Sequence, residues 1–176
     1  MNLDEAAVSA GTSVDWLANA VSTGLIHTSG GAANPDVPTE EVAYLRRTRK
    51  WLPHFVDAIH AEGIGSAVLF GRDAEIGPSR QRDSVLVTTV EAADEALRLN
   101  ATLSDVAGRT IYVVTWSSAT SNPAIAWEAA VNGRIVRDQD RVWGGFLEEA
   151  TMRLTRDRTA TDRDRLTAAL ERWAGR

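Results

Sequence analysis

The sequence predicts a mixed α+β chain in two units. A small helical unit with one short hairpin comes first, and a larger unit of alternating strands and helices (α/β in character) follows. Three observations carry this expectation. Between residues 3 and 51 apolar residues recur at helical spacing, interrupted by a single Gly-, Asn- and Pro-rich stretch. After Pro53 short apolar runs alternate with amphipathic stretches. Gly11, Gly24, Gly63 and Gly133 each stand where a periodic segment stops, the usual place for a helix-terminating glycine. With 176 residues the chain has room for one sizeable domain or two small ones, and the expected division is 1–52 and 53–176.

In the first unit "LDEAAVSAG" predicts a short helix with small residues packed inward. "TS" then caps "VDWLANAVST", whose Val14, Leu17, Ala18 and Val21 recur at helical spacing. "LIHTSGGAANPDVPT" reads as a loop or short hairpin. Thr39 is placed to cap "EEVAYLRRTRKW", with Val42, Leu45 and Trp51 on or near one face. Two short helices joined by a Gly-containing turn, then a hairpin, then a helix, make a winged helix-turn-helix pattern.

"EAAVSAGTSVDWLANAVSTGLI" resembles the opening of MerR-type and excisionase-type DNA-binding domains, through Ala6, Ala7, Gly11, Ser13, Leu17, Gly24, Leu25 and Ile26. "VPTEEVAYLRRTRKW" is similar to the helix that follows the wing in that family, so the resemblance spans about the first 52 residues. It implies a second helix entering the DNA major groove with Ser13, Asp15, Trp16 and Asn19 leading, and Arg46, Arg47, Arg49 and Lys50 as phosphate contacts. The second helix lacks the arginine usual in the family. Residues 1–60 carry seven acids against four bases, so this unit binds DNA weakly alone, since phosphate neutralisation supplies most non-specific affinity. The competing expectation is a protein-binding helix-turn-helix with a solvated basic helix.

In the second unit "PHFVDAIHAEG" is a helix, "SAVLFG" a buried strand and "DSVLVTTV" another. "EAADEALRLNATLSDVAG" is an amphipathic helix with Ala93, Leu97 and Leu103 expected inward, and "RTIYVVTW" is a third strand. "NPAIAWEAAVNG" is a helix with Pro123 in its first turn. "RIVRDQDRVW" is a short strand and turn, followed by C-terminal helices.

This order resembles the minimal nucleotidyltransferase domains of the DNA polymerase β superfamily over residues 54–146. The matching pieces are "VLFGR", "RDSVLV", "GRTIYVV" and, as the strongest part, the closing segment Asn122 through Trp143. The resemblance implies a small mixed sheet and a site where three carboxylates hold two Mg²⁺ ions under a triphosphate. Carried over position by position, the acids fall on Asp83, Val85 and Tyr112, and the phosphate-binding Ser falls on Arg72. A single carboxylate holds Mg²⁺ weakly and largely hydrated. The expectation is therefore a degenerate domain with no catalytic residues, metal or cofactor. Arg72, Arg80 and Arg82 surround the former phosphate position as candidates for binding an anion. Otherwise they pair with Asp73, Glu75 and Asp83 at the surface.

Composition narrows the function classes. A chain that is 44% hydrophobic and 24% charged reads as an ordinary soluble globular protein, without an apolar run near the roughly 20 residues that span a bilayer. The acidic N-terminus lacks the bases of a signal peptide, so the expected location is cytoplasmic. The absence of cysteine removes disulfide and thiolate chemistry, and His27, His54 and His60 are too few for most histidine metal cages. A net charge of −5 argues against coating nucleic acid, and the six tryptophans read as packing residues. The leading expectation is a DNA-binding transcriptional regulator, with double-stranded DNA as partner. Its inactive nucleotidyltransferase-like domain would serve dimerisation, partner or ligand binding. The alternatives are a nucleotidyltransferase using Asp83 with a displaced acid such as Asp73 or Glu75, and a protein adaptor that binds no DNA.

Overall fold

The computed structural model describes residues 1–29, 35–75, 83–139, 141–146, 148 and 159–174. The architecture is mixed α and β, built on one four-stranded sheet. Helix α1 (Leu3–Ala10) starts on Asn2, whose side chain accepts from Glu5 N, and stops at Gly11 with φ 73°. Ser13 caps α2 (Val14–Thr23) through Trp16 N, and Gly24 ends it at φ 98°. Their positive φ is the conformation that glycine adopts without Cβ strain.

Between α2 and α3 (Thr39–Thr48) the chain forms a single antiparallel bridge, Ser29 with Asp36, where the wing was expected. Pro38 precedes α3 without a side-chain cap, so Thr39 is its first residue and not its cap. Trp51 belongs to the start of the next helix, α4 (Leu52–Ala61), which carries Pro53 in its first turn, where a missing N–H costs nothing.

The sheet contains β1 (Ser66–Gly71), β2 (Ser84–Thr88), β3 (Ile111–Thr115) and β4 (Arg134–Asp138) in the order β3-β2-β1-β4. β1 pairs antiparallel with both β2 and β4, and β2 pairs parallel with β3. The parallel step needs a crossover, supplied by α5 (Ala93–Ala107). On α5 the buried residues are Ala96, Leu99, Leu103 and Ala107, while the expected inward Leu97 is 72% exposed and Ala93 is also exposed. Both are corrected by one fact: the inward stripe runs through Leu99 and Leu103, and Leu97 sits about 200° around the helix from Leu99. The short helix α6 (Trp116–Ser121), capped by Thr115, follows β3 directly and takes up the Trp116 that the sequence reading had placed in the strand. Helix α7 (Pro123–Asn132) is capped by Asn122, and α8 (Ala160–Ala174) packs on α7.

Alternation along the strands divides the interior into two apolar clusters. Ala67, Leu69, Leu86, Ile111 and Val136 point to one face and merge with residues of α4 and α5. The same cluster continues without a break into Ala6, Leu17, Leu25, Val42 and Leu45, so α1–α3 share a core with the sheet. Val68, Phe70, Val87 and Ile135 point to the other face, under α6, α7, Leu166 and the stacked rings of Trp143 and Phe146. Gly133 permits the close approach of α7 to β1, because a Cβ there would lie 2.1 Å from the Ala129 carbonyl oxygen and 2.6 Å from Val68 Cγ1.

A buried ion pair ties the N-terminal helices to the sheet. Arg134, at the start of β4, and Glu41, in the first turn of α3, are each about 1% exposed. The guanidinium donates to Glu41 Oε2 at 2.7 Å and Oε1 at 3.0 Å, to the Leu25 carbonyl at 2.8 Å and to the Ala74 carbonyl at 2.6 Å. Tyr44 lies beneath it, with the guanidinium carbon 3.9 Å from the ring centroid. Burial pushes the Tyr44 phenol up to about 12, opposed by the Arg134 charge and assisted by Glu41.

Candidate functional site

The strand–loop–strand segment from β1 to β2 begins at Gly71, whose φ of 88° turns the chain out of the strand. Arg72 N donates to the Asp83 carbonyl at 3.1 Å, closing the base of the loop, and both side chains are exposed. Arg80 and Arg82 lie outside the described residues, so of the expected anion-binding trio only Arg72 is described.

The expectation that the loop acids pair with their neighbouring arginines at the surface is corrected at Asp73. Its carboxylate is buried and turned inward, accepting from Ser84 Oγ at 2.7 Å and from Arg109 at 2.7 Å. Ser84 Oγ in turn accepts from Asp73 N at 3.0 Å, and the Arg109 guanidinium sits 5.1 Å from the Trp51 ring centroid. Ser84 opens β2 and therefore points to the opposite face from Val85. Asp73 is held on that opposite face, away from the side on which Asp83 and Val85 alternate. Glu75 contributes its carbonyl oxygen to Arg47.

On the face that the nucleotidyltransferase resemblance marks, three strands present a row in register. Phe70 of β1 faces Val85 of β2, which faces Tyr112 of β3. The row grades from buried Phe70 through half-buried Val85 to Tyr112, which is 45% exposed on the edge strand. These side chains do not fit a two-Mg²⁺ centre: Val85 and Tyr112 occupy the two positions where carboxylates would stand. Among the described residues no group of three or more His, Asp or Glu side chains converges.

The residues expected on DNA are distributed as follows. Ser13 Oγ is used as the α2 cap, and Trp16 is partly buried against the core. Asp15 and Asn19 are exposed. Arg46 donates to the Ser9 carbonyl and to Ser9 Oγ, each at 2.7 Å, and so braces α3 against α1. Arg47 donates to the Glu75 carbonyl and lies 5.7 Å from the Tyr44 ring centroid. Arg49 and Lys50 are exposed just past the end of α3.

Asn19 also opens onto a feature that the sequence reading did not anticipate. A cleft of about 590 Å³ lies between the C-terminal half of α2 and the end of β4. Asn19, Ser22 and Thr23 line one side, Arg137, Asp138, Gln139 and Arg141 the other, and His60 also borders it. The sequence signal was faint: basic residues at 137 and 141 fell within a segment read only as a strand and turn.

No protein-family model matches the chain, and no curated protein matches it. Among solved structures, a chain of a mutant MntA–HpeT toxin–antitoxin complex is similar across 59% of this chain and 87% of its own length. The identity is 11% and the TM-score 0.47. A chain of the tri-AMPylated Shewanella oneidensis HEPN toxin in complex with MNT antitoxin is similar across the same shares, at 12% identity and a TM-score of 0.44. At these scores neither match carries a conclusion about what this chain does.

Proposed function

We propose that the chain is a non-catalytic, nucleotidyltransferase-like adaptor that acts by binding another protein. One observation carries this reading: on the sheet face where metal-binding acids would be needed stand half-buried Val85 and, 45% exposed on the edge strand, Tyr112, backed by buried Phe70. A carboxylate pair has been replaced by groups suited to a desolvated protein contact, and Tyr is enriched in such contacts. Asp73, the nearest candidate for a displaced catalytic acid, is committed to Ser84 and Arg109 on the other face. The test is affinity purification of the full chain from its native cells, with Tyr112→Asp in parallel. A stoichiometric protein that co-elutes with the wild type and is lost from the variant supports the adaptor. Transfer of label from an NTP with Mg²⁺, abolished by Asp83→Ala, would replace the adaptor with an enzyme.

A second reading, the DNA-binding regulator, is favoured by the packing of α1 against both α2 and α3, a helix-turn-helix arrangement. The division into a 1–52 DNA-binding unit and a 53–176 unit belongs to this reading, as does a dimer spanning two half-sites. With Arg46 and Arg47 bonded within the protein, Arg49 and Lys50 supply the phosphate contacts, and binding should be weak and strongly salt-dependent. Selection from a genomic library at low salt that enriches no sequence would remove it.

A further inference from the structure

Independently of the Phe70–Val85–Tyr112 face, we propose that the cleft between α2 and β4 is a binding site for a small phosphorylated ligand, held through Arg137 and Arg141. The cleft lies on the β4 edge, across the sheet from β3 and away from the position of the missing metal acids. Its volume of about 590 Å³ falls in the range of pockets that enclose a small molecule.

The charge arrangement sets the ligand class. Arg137 donates only to neutral acceptors, the His60 carbonyl at 3.4 Å and Gln139 Oε1, so its charge is oriented but not neutralised. Arg141 is exposed and, among the described residues, makes no hydrogen bond or ion pair through its side chain. Among the described residues Asp138 is the one acid lining the cleft, and its Oδ1 is occupied by Ser66 Oγ at 3.1 Å and Trp143 N at 3.3 Å. The described lining thus sets two arginines against one already engaged carboxylate, on a chain whose net charge is −5.

The backbone is shaped to present that charge. Arg141 has φ 51°, the only non-glycine in the left-handed region among the described residues. Such a conformation is strained for a residue that carries a Cβ and persists only where surrounding contacts impose it. Here the Arg141 N–H bonds to the Asp138 carbonyl at 3.3 Å, while the Asp138 carboxylate receives Trp143 N from the far side of the turn. The turn holds Arg141 over the same cleft that Arg137 lines from the strand. Two arginines lining one concavity suit a phosphate, whose oxygens accept several charge-assisted bonds at once. Asn19 and Gln139 border the same space with amides able to donate and accept, fitting the polar body of a phosphate ester.

The experiment is an NMR titration of the full ¹⁵N-labelled chain with AMP, ribose 5-phosphate, inorganic phosphate and adenosine. Arg137→Gln, Arg141→Gln and Arg141→Lys are titrated alongside, each checked for an unchanged urea midpoint. The three phosphate-bearing probes should shift the amides of Asn19, Ser22, Gln139 and Arg141 saturably, and adenosine should not. Each glutamine variant should weaken binding by about tenfold or more, as expected for losing a charge-assisted contact, with Arg141→Lys intermediate. Tighter binding of AMP than of the other two would mark a nucleotide as the ligand, and equal binding a simple phosphate site; either supports the assignment. No saturable shift with any phosphate up to about 10 mM, tenfold beyond the weak end of the affinity scale, would overturn it. So would wild-type affinity in Arg141→Gln, or binding confined to duplex DNA.

Discussion

Replacing Arg134 by Met tests the claim that the N-terminal helices and the sheet form one cooperative body. The methionine keeps the length and most of the apolar stem, but deletes every hydrogen bond the guanidinium makes. Glu41, about 1% exposed, is then left as a buried carboxylate without the guanidinium, with the His27 imidazole 3.7 Å from its Oε1, and the Leu25 and Ala74 carbonyls lose their donors. Removing one partner of a buried pair costs about 3–5 kcal/mol, and the stranded carbonyls keep the expectation near the upper end. Against a total stability of about 5–15 kcal/mol for a domain, that is a large share. Glu41→Gln should cost less, about 2–4 kcal/mol, because the amide oxygen still accepts while the Arg134 charge loses its neutraliser. The double variant Glu41→Gln/Arg134→Met should be less destabilised than the two single effects added, since no uncompensated charge remains. Urea unfolding followed by tryptophan fluorescence measures all three, with linear extrapolation giving the free energies. Single variants costing less than about 1 kcal/mol, or strictly additive effects, would refute the description of this pair as a buried, coupled staple.

Three further outcomes follow from the same coordinates. Tyr44 has its folded pKa raised from 10.0 to about 12, so its contribution is fully present below about pH 10 and is lost as pH rises toward 12. The loss is on the order of 3 kcal/mol. Tyr44→Phe should abolish that slope and leave neutral-pH stability unchanged or higher, because the buried hydroxyl has no hydrogen-bond partner among the described residues. Chemical denaturation at pH values from 8 to about 11 compares the two proteins. Gly133→Ala should destabilise by about 1–3 kcal/mol, because the new Cβ meets the Ala129 carbonyl of α7 itself and Val68 Cγ1 of β1 at 2.6 Å, seen as a lowered urea midpoint; an unchanged midpoint would show that both contacts relax freely. Asp73→Ala strips Ser84 Oγ and Arg109 of a shared acceptor and should cost about 1–3 kcal/mol. Because Arg109 is 40% exposed, most of that loss comes from the buried Ser84 side, and Arg109→Gln should cost less than 1 kcal/mol.

Much of the fold was legible in the chain because the signals are local. Asn2, Ser13 and Asn122 cap the helices that follow them, and Gly11 and Gly24 stop theirs, through geometry confined to a few residues. The four strands were visible as short apolar runs, and the nucleotidyltransferase resemblance, carried over position by position, put Val85 and Tyr112 where two of the acids were expected. Leu97 was misplaced because spacing yields a stripe but not its phase, and the phase is set by what the helix packs on.

Tertiary structure alone decided the long-range polar pairs. Glu41 and Arg134 are 93 residues apart, and Asp73 and Arg109 36 apart, so no window of sequence contains either pair. One clue was present: Arg134 lies in phase with Val136 on a buried face, but such alternation marks a burial site without naming its partner. The same holds for the cleft, where Asn19 meets Arg137 and Arg141 only because α2 packs beside β4. Local geometry is written in neighbouring residues, whereas the electrostatic surroundings of a charge depend on which distant elements the fold brings beside it.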